Sequence, residues 1–314
     1  MTTTVRTPAL ASVIVAINPH DHDFTAVLDA WAAQAAAGRY EVIVAHDGCR
    51  ASLSSEFATH KLKHPSTPVR VVGSAVAGRA ASNNAGVRAS RGDLLLFVAD
   101  DFRPTPGLVA AHRAFHDSIG RPAVGIGPGY FSESTRADAF VRWLEDSGNI
   151  WGVTFATGRM YWLEDFFYVG NASMPRTVFD SVGRFDETFR HDLFDDWEFG
   201  RRLFATGVTA HFVSRAIAWH DHEVTLEERL VAARRMGECA AVYERGSSER
   251  PQQAVAGSIP LGDLEAAVRD AEQRTLRSGS FADRALMWLA HLRLAFVRGY
   301  QSASAGGSAS RLTG

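Results

Sequence analysis

Four groups of residues in this chain have the types and spacing to do chemistry. Asp100-Asp101 follows the apolar run Leu94 to Ala99 and precedes Phe102-Arg103-Pro104. Adjacent carboxylates at a strand end offer hard oxygen ligands, suited to Mg2+ or Mn2+ or to a network of sugar hydroxyls. Solvated acids are also common at strand ends, so the pair needs company to mean more. Asp47, in His46-Asp47-Gly48, closes a second apolar run; alone, Asp-Gly is an ordinary turn. In Trp219-His220-Asp221-His222, two imidazoles two residues apart face the same way in an extended chain. One of them can complete a metal site begun by carboxylates, or simply pair with a nearby acid. Asp195-Asp196-Trp197-Glu198 opens a helical segment. One acid there is a cap favoured by the helix dipole; three with an aromatic between them exceed what a cap needs. A carboxylate at this point can serve as the general base for an incoming hydroxyl. His20-Asp21-His22-Asp23 has the composition of a metal cluster, but its place after the first strand reads as a solvated or substrate-edge loop.

The elements that must position these groups follow from periodicity. Ser12 to Ile17 is a short continuous apolar run, the mark of a strand covered on both faces, and Tyr40 to Ala45, Val69 to Val72 and Leu94 to Ala99 read as the second, third and fourth strands. Helices are expected between them, at about 24–37, 52–63 and 78–90. Strand-helix alternation predicts a parallel sheet with helices on both faces. Right-handed crossovers then line the strand C-terminal ends along one edge, where ligands bind in open α/β sheets. Asp47, Asp100 and Asp101 share that edge on this reading. From 120 to 170 the chain is less regular and rich in aromatics, among them Tyr130, Phe131, Trp143, Trp151, Phe155, Tyr161, Trp162, Phe166, Phe167 and Tyr168. They can stack on sugar faces, though more than half are expected in the core. Helices are expected near 136–146 and 196–206, a strand near 209–213, then helices at 226–244, 261–276 and 281–300. The Ser/Gly/Ala-rich segment 302–314 reads as a disordered tail.

Composition narrows the class. The 314 residues are 46% hydrophobic and 22% charged, which fits a folded chain. Lys+Arg is 33 against Asp+Glu 35, a net charge of -2. That balance argues against a protein built on nucleic-acid phosphates. Cys49 and Cys239 form neither a disulfide framework nor a zinc pattern, so a reducing compartment is expected. No run of about 18 apolar residues is long enough to span a bilayer. The stretch Ala9 to Ile17 after Arg6 resembles a signal peptide, but it is β-branched and ends in Asn18-Pro19-His20-Asp21 rather than a cleavage site, so it reads as the first strand.

Taken in order, these pieces resemble a family 2 glycosyltransferase with the GT-A fold over about 11–222. Tyr40 to Gly48 resembles the family's E-V-I-V-V-D-D-G-S segment. Gly78-Arg-Ala-Ala-Ser-Asn-Asn-Ala-Gly86 and Ala89 to Asp101 resemble its G-x-x-x-A-R-N-x-G and A-x-G-E-Y-I-L-F-L-D-D-D run. Phe167 to Asn171, Val182 to Glu187, Asp195-Asp196 and Arg202 resemble the acceptor half, with its G-G-N, G-G-F-D-E and E-D-x-x-L-x-x-R-L. The departures are Ala99, His46 and Asn83, which replace two acids and an arginine, and Asp195 in place of Glu.

The resemblance implies a Rossmann-like, mostly parallel GT-A sheet flanked by helices, with a catalytic domain at 9–222 (donor half 9–101, acceptor half 102–222). A C-terminal helical extension at 223–301 and the tail complete the chain. It implies an inverting transferase that moves sugar from a nucleotide-diphosphate donor to a hydroxyl, with Mn2+ or Mg2+ on the diphosphate. Asp101 and His220 would hold the metal, and Asp47, Asn84 and Asp100 the donor. Asp196 would be the base, with Asn171, Asp195 and Arg202 on the acceptor side. The acceptor would be a glycan, a lipid-linked molecule or a small molecule, and the location cytoplasmic. Phe281, Ala285, Trp288, Leu289, Leu292, Phe296 and Tyr300 form one apolar helix face, which packs on the catalytic domain or lies on the inner face of a membrane. A degenerate glycan-binding or scaffolding relative is the non-enzyme alternative. A nucleotidyltransferase lacks its Gly-rich, Lys-bearing loop here, and a dinucleotide oxidoreductase lacks G-x-G-x-x-G after the first strand.

Overall fold

Apolar runs without alternation need cover on both faces, and the chain supplies it. In the computed structural model, which describes residues 10–17, 24–34, 38–48, 53–150, 167–189, 194–246 and 259–305, β1 (Ala11–Ala16) is buried throughout. β2 (Tyr40–His46) and β4 (Leu94–Ala99) are buried except at their ends, beside β3 (Val69–Gly73). The four pair in parallel in the order β3-β2-β1-β4. Helices α1 (Phe24–Ala32), α2 (Leu53–Lys63) and α3 (Arg79–Ala89) make the crossovers. A short strand β5 (Phe102–Pro104), helix α4 (Leu108–Ile119) and strands β6 (Ala123–Ile126) and β7 (Gly129–Phe131) follow, then helix α5 (Glu133–Arg136) and helix α6 (Ala139–Ser147). Next come β8 (Asn171–Pro175), α7 (Arg176–Val182), α8 (Asp195–Ala205), β9 (Thr209–Phe212) and β10 (Ala218–His220).

The second half extends the same sheet. β8 runs antiparallel between β4 and β6, and β9 closes the order as β3-β2-β1-β4-β8-β6-β9. The core is therefore mixed α/β and Rossmann-like. A separate three-stranded sheet, β5-β10-β7, pairs β10 antiparallel with β5 and parallel with β7. Strands of three residues carry too little periodicity to be read from sequence. Of the central aromatics within the described residues, Phe131, Trp143, Phe167 and Tyr168 are buried and Tyr130 is half-buried. Trp151, Phe155, Tyr161, Trp162 and Phe166 lie outside the described residues, as do His20, Asp21, His22 and Asp23.

The chain divides into two compact units, 1–135 with 145–222, and 136–144 with 223–314. The second contains α9 (Leu226–Gly246), α10 (Leu261–Ser278) and α11 (Phe281–Ala305). Leu264, Val268, Leu294 and Val297 form its apolar cluster. Gly237 and Gly299 let α9 and α11 approach so closely that a Cβ on either would strike the other's main chain. Trp288 packs on Phe140, Trp143 and Phe281 at 5.4–6.0 Å between ring centres. Of the segment 302–314, expected as a disordered tail, only the first four residues are described. Residues 302–305 continue α11, and 306–314 lie outside the described residues. Among the described residues no helix is long and apolar enough to cross a membrane.

Candidate active site

The strand order reverses at β1, with β2 on one side and β4 on the other, and open α/β sheets bind their ligands outside the C-terminal ends of strands at such a point. Asp47 stands one residue beyond β2, and Asp100 and Asp101 follow β4 directly. Asp47 Oδ2 accepts the Gly78 N–H at 2.7 Å, which sets the acid against the N-terminus of α3, where the helix dipole favours negative charge. Gly86 holds α3 down on the sheet, since a Cβ there would lie 2.5 Å from Ile14 Cγ2. Asp100 is buried.

Asp101 meets a histidine 119 positions away. His220 Nε2 lies 3.1 Å from Asp101 Oδ2. The β5–β10 pairing sets His220 opposite Phe102, so three-residue strands close that long loop. His220 is buried, with the Phe131 and Phe102 rings edge-on at 4.9 and 5.6 Å. Beside it, Arg103 and Asp221 form a two-point ion pair at 2.6 and 3.1 Å. An imidazole locked between rings beside a carboxylate is an oxygen-plus-nitrogen donor set open to a divalent ion.

Helix α8 presents the second acid group. Its N-terminal flank, Phe194, has φ 76°, a left-handed backbone that costs a bulky residue on the order of 1 kcal/mol. The Phe194 ring packs edge-on against Trp197 at 4.9 Å. Asp195 is fully buried and accepts from both Arg79 Nε and Nη2. Arg79 Nη2 also stands 3.3 Å from Asp196 Oδ2. The Asp196 side chain is 19% exposed, against none for Asp195, so Asp196 is the member of the pair that can meet a substrate. Burial pushes the Asp196 carboxyl up to about 6. Arg79 holds it down, Asp195 repels it upward, and the Trp197 and Val169 N–H groups donate to it.

Three other sequence-predicted residues spend their side chains inside the protein. The Asn84 amide donates to Phe185 O and Glu187 Oε1, both at 2.9 Å, and accepts from Phe185 N–H at 3.1 Å. Arg202 donates to both Glu198 oxygens and to Val182 O and Arg184 O at 2.6–3.0 Å. Together they bind α3 and α8 to the 182–187 turn. Asn171 is fully buried. It donates to Pro128 O and Ala216 O and contacts His112 Nε2 at 3.0 Å. Ser173 bridges His112 and His116 at 2.8 Å each. Burial pushes His112 down to about 4 and His116 down to about 3, so neutral rings fasten α4 to β8.

Sequence reasoning missed Arg79, which stands at an unassigned position of the Gly78–Gly86 motif. One signal was available. A cation in the first turn of a helix opposes the dipole, so it needs an acid from elsewhere, and two acids head another predicted helix. A further group, Asp29, His60 and His64, has ligand atoms all within 4.8 Å of one another. It lies away from this edge, because α2 leads down to the start of β3, where Val69 pairs with Val42.

Comparison with known proteins agrees with this architecture. Residues 8–237, well over half the chain, match the model of the family described as glycosyltransferase like family 2. No curated protein matches the sequence. Among solved structures, the mannosyltransferase PcManGT from Pyrobaculum calidifontis, determined with GDP-Man and Mn2+, superposes with a TM-score of 0.60 at 16% identity, over 96% of this chain and 87% of that one. S. aureus TarS superposes with a TM-score of 0.51 at 13% identity, over 94% of this chain and 55% of that one. Its 1–349 fragment with UDP-GlcNAc gives 0.50 at 14% identity, over 94% and 90%. At these identities the likeness is one of fold, and the fold is GT-A-like.

Proposed function

Because the chain belongs to the glycosyltransferase family 2, we propose that it is an inverting glycosyltransferase moving a sugar from a nucleotide-diphosphate donor to an acceptor hydroxyl. The observation that carries this reading is a continuous track of contacts from Asp47 through the Gly78 N–H and Arg79 to Asp195 and Asp196. It ties the strand edge suited to a nucleotide to the acid suited to an acceptor.

Asp196 is the general base. A carboxyl with a pKa raised to about 6 is ionised at neutral pH yet basic enough to draw a proton from a hydroxyl as it attacks. Asp195 takes the two-point contact of Arg79, and Asp196, the more exposed acid, is the proton acceptor. Asp47 and the N-terminus of α3 receive the nucleoside part, and Asp100, buried at the end of β4, supports the strand end that carries Asp101 rather than meeting the sugar itself. Asn84, Asn171 and Arg202 act by positioning, since they lock the turns and strands that carry Asp196 and Asp101. Asp101 and His220 are the residues that would hold Mn2+ or Mg2+, and the imidazole in the set favours Mn2+. When bound, that ion supplies Lewis-acid neutralisation of the departing diphosphate.

The experiment is direct. Purified protein is screened with UDP-, GDP-, dTDP- and CMP-sugars and Mn2+ or Mg2+, with thermal shift reporting binding and released nucleotide reporting turnover. A ligand that binds the native state at a hundredfold excess over its dissociation constant adds about 2.7 kcal/mol of apparent stability. A metal-dependent shift with one nucleotide and release that stops in Asp196→Asn supports the reading. Binding with no release from any donor favours the glycan-binding or scaffolding alternative. Peripheral membrane contact through 281–300 belongs to the same proposal. Phe281 and Leu286 are exposed on α11 while Trp288 and Leu292 are buried, and co-sedimentation with anionic vesicles tests it.

A further inference from the structure

We infer that Asp29, His60 and His64 form a second metal site, selective for Zn2+-like ions, that clamps α1 to α2 apart from the catalytic edge. His60 and His64 are four residues apart. The His64 N–H still donates to His60 O at 2.8 Å, so the helical turn carries both rings on one face, a spacing that binds zinc on helices. Asp29 Oδ1, from α1, lies 3.1 Å from His60 Nδ1 and 3.4 Å from His64 Nε2. A tetrahedral ion with ligand bonds of about 2.05 Å has ligand-to-ligand edges of about 3.3 Å. Two of the three edges are therefore already at that length, and the third pair lies within 4.8 Å. It closes by rotation of His64, the more exposed ring.

The donor set decides the metal. Two neutral imidazoles and one carboxylate suit Zn2+, Co2+ or Ni2+ over Mg2+ and Mn2+. His60 is fully buried while Asp29 and His64 are about one-third exposed, so the site has a closed base and one open side for entry and a water ligand. Lys63 Nζ is the competing cation, 3.3 Å from the other oxygen of Asp29. It is half exposed and free to leave. Lys61 is engaged elsewhere, on Thr67 O at 2.7 Å. The site sits at the C-terminal end of α2, so the ion would cross-link two crossover helices without touching a nucleotide.

The test uses the full chain, stripped with chelator, and the metal alone. Co2+ is titrated without nucleotide, visible absorption reports tetrahedral coordination, and Zn2+ competes. The expected result is one equivalent of tetrahedral Co2+, displaced by Zn2+, with affinity lowered at least tenfold in both His64→Ala and Asp29→Asn. Both replace partly exposed side chains, and circular dichroism checks their fold. Lys63→Ala removes no ligand and should tighten binding severalfold. Absence of tetrahedral absorption in the wild type overturns the proposal. So does unchanged affinity in the two ligand variants, or weaker binding in Lys63→Ala.

Discussion

Two regions of the strand edge use the same residue type to opposite ends. At the end of β4, Asp101 faces His220 at 3.1 Å, a partner that carries no fixed charge and has lone-pair chemistry of its own. At the head of α8, Asp195 and Asp196 face Arg79, a permanent cation whose planar fork fills the place an ion would take. The first arrangement leaves negative charge for a metal to satisfy. The second sets one cation against two acids, so one negative charge is left over, and burial raises the Asp196 carboxyl to about 6. On the proposed assignment, the partner of an aspartate, more than its position at a sheet edge, separates a metal ligand from a base.

The largest effect should come from Asp196→Asn. Loss of the base is expected to lower turnover about 10³-fold while metal-dependent nucleotide binding persists; equal loss of binding would erase the distinction between the regions. Asp101→Asn should do the reverse. It should weaken Mn2+-dependent nucleotide binding and lower kcat/KM about a hundredfold, and excess Mn2+ should restore part of it. Chelation of the wild type should have the same effect, reversed by adding the metal back.

A pH profile sharpens the comparison further. The base must be ionised, so kcat/KM should rise through pH about 6 and level off above it. In Arg79→Lys the two-point contact with Asp195 is lost and Asp196 is less well balanced, so the limb should move up by about one unit, a tenfold loss on the acid side. An unmoved limb would mean that Arg79 only packs. For stability the sign is opposite to that for activity. The carboxyl of Asp196 is raised in the folded state, so its contribution to stability is full below its ordinary range near 3.8 and is lost as pH rises through about 6. The smallest catalytic effect is expected from Asn84→Ala. It removes three hydrogen bonds that hold the 185–187 turn, at a cost of about 2 kcal/mol, and should lower Tm by about 5 °C. Calorimetry reads the first change, and kcat should fall by less than about threefold once the fold is saturated.

Legibility was uneven, and the reason is the range over which each signal acts. The parallel strands β1 to β4 could be read because each is a valine-, isoleucine- or leucine-rich stretch of five to seven residues, broken only by Ser12 in β1, by Glu41 and His46 in β2 and by Arg70 in β3. β5, β7 and β10 could not, because three residues carry no period. Asp47, Asp101, His220 and Asp196 could be named as candidates from type and context. Asn84, Asn171 and Arg202 could be named too, but nothing local told that their polar atoms are spent on Phe185, Pro128, Ala216, Val182 and Arg184. Residues 136–144, which include most of helix α6, group with the C-terminal helices, although chain order placed them within the acceptor half.

By itself the sequence determined where the parallel strands run, which strand ends carry acids, and that an acidic helix start stands near residue 195. Those are consequences of composition and short-range periodicity. Cover on both faces was not among them, since β3, at the sheet edge, is only half-buried. Only the tertiary structure decided that Asp101 meets His220 across 119 residues and that Asp195 meets Arg79 across 116. It alone also brought Asp29 to His60 and His64. Charge pairing and burial are set by which elements the sheet topology brings together, and a carboxylate takes its pKa and its partner from that neighbourhood rather than from its neighbours in the chain.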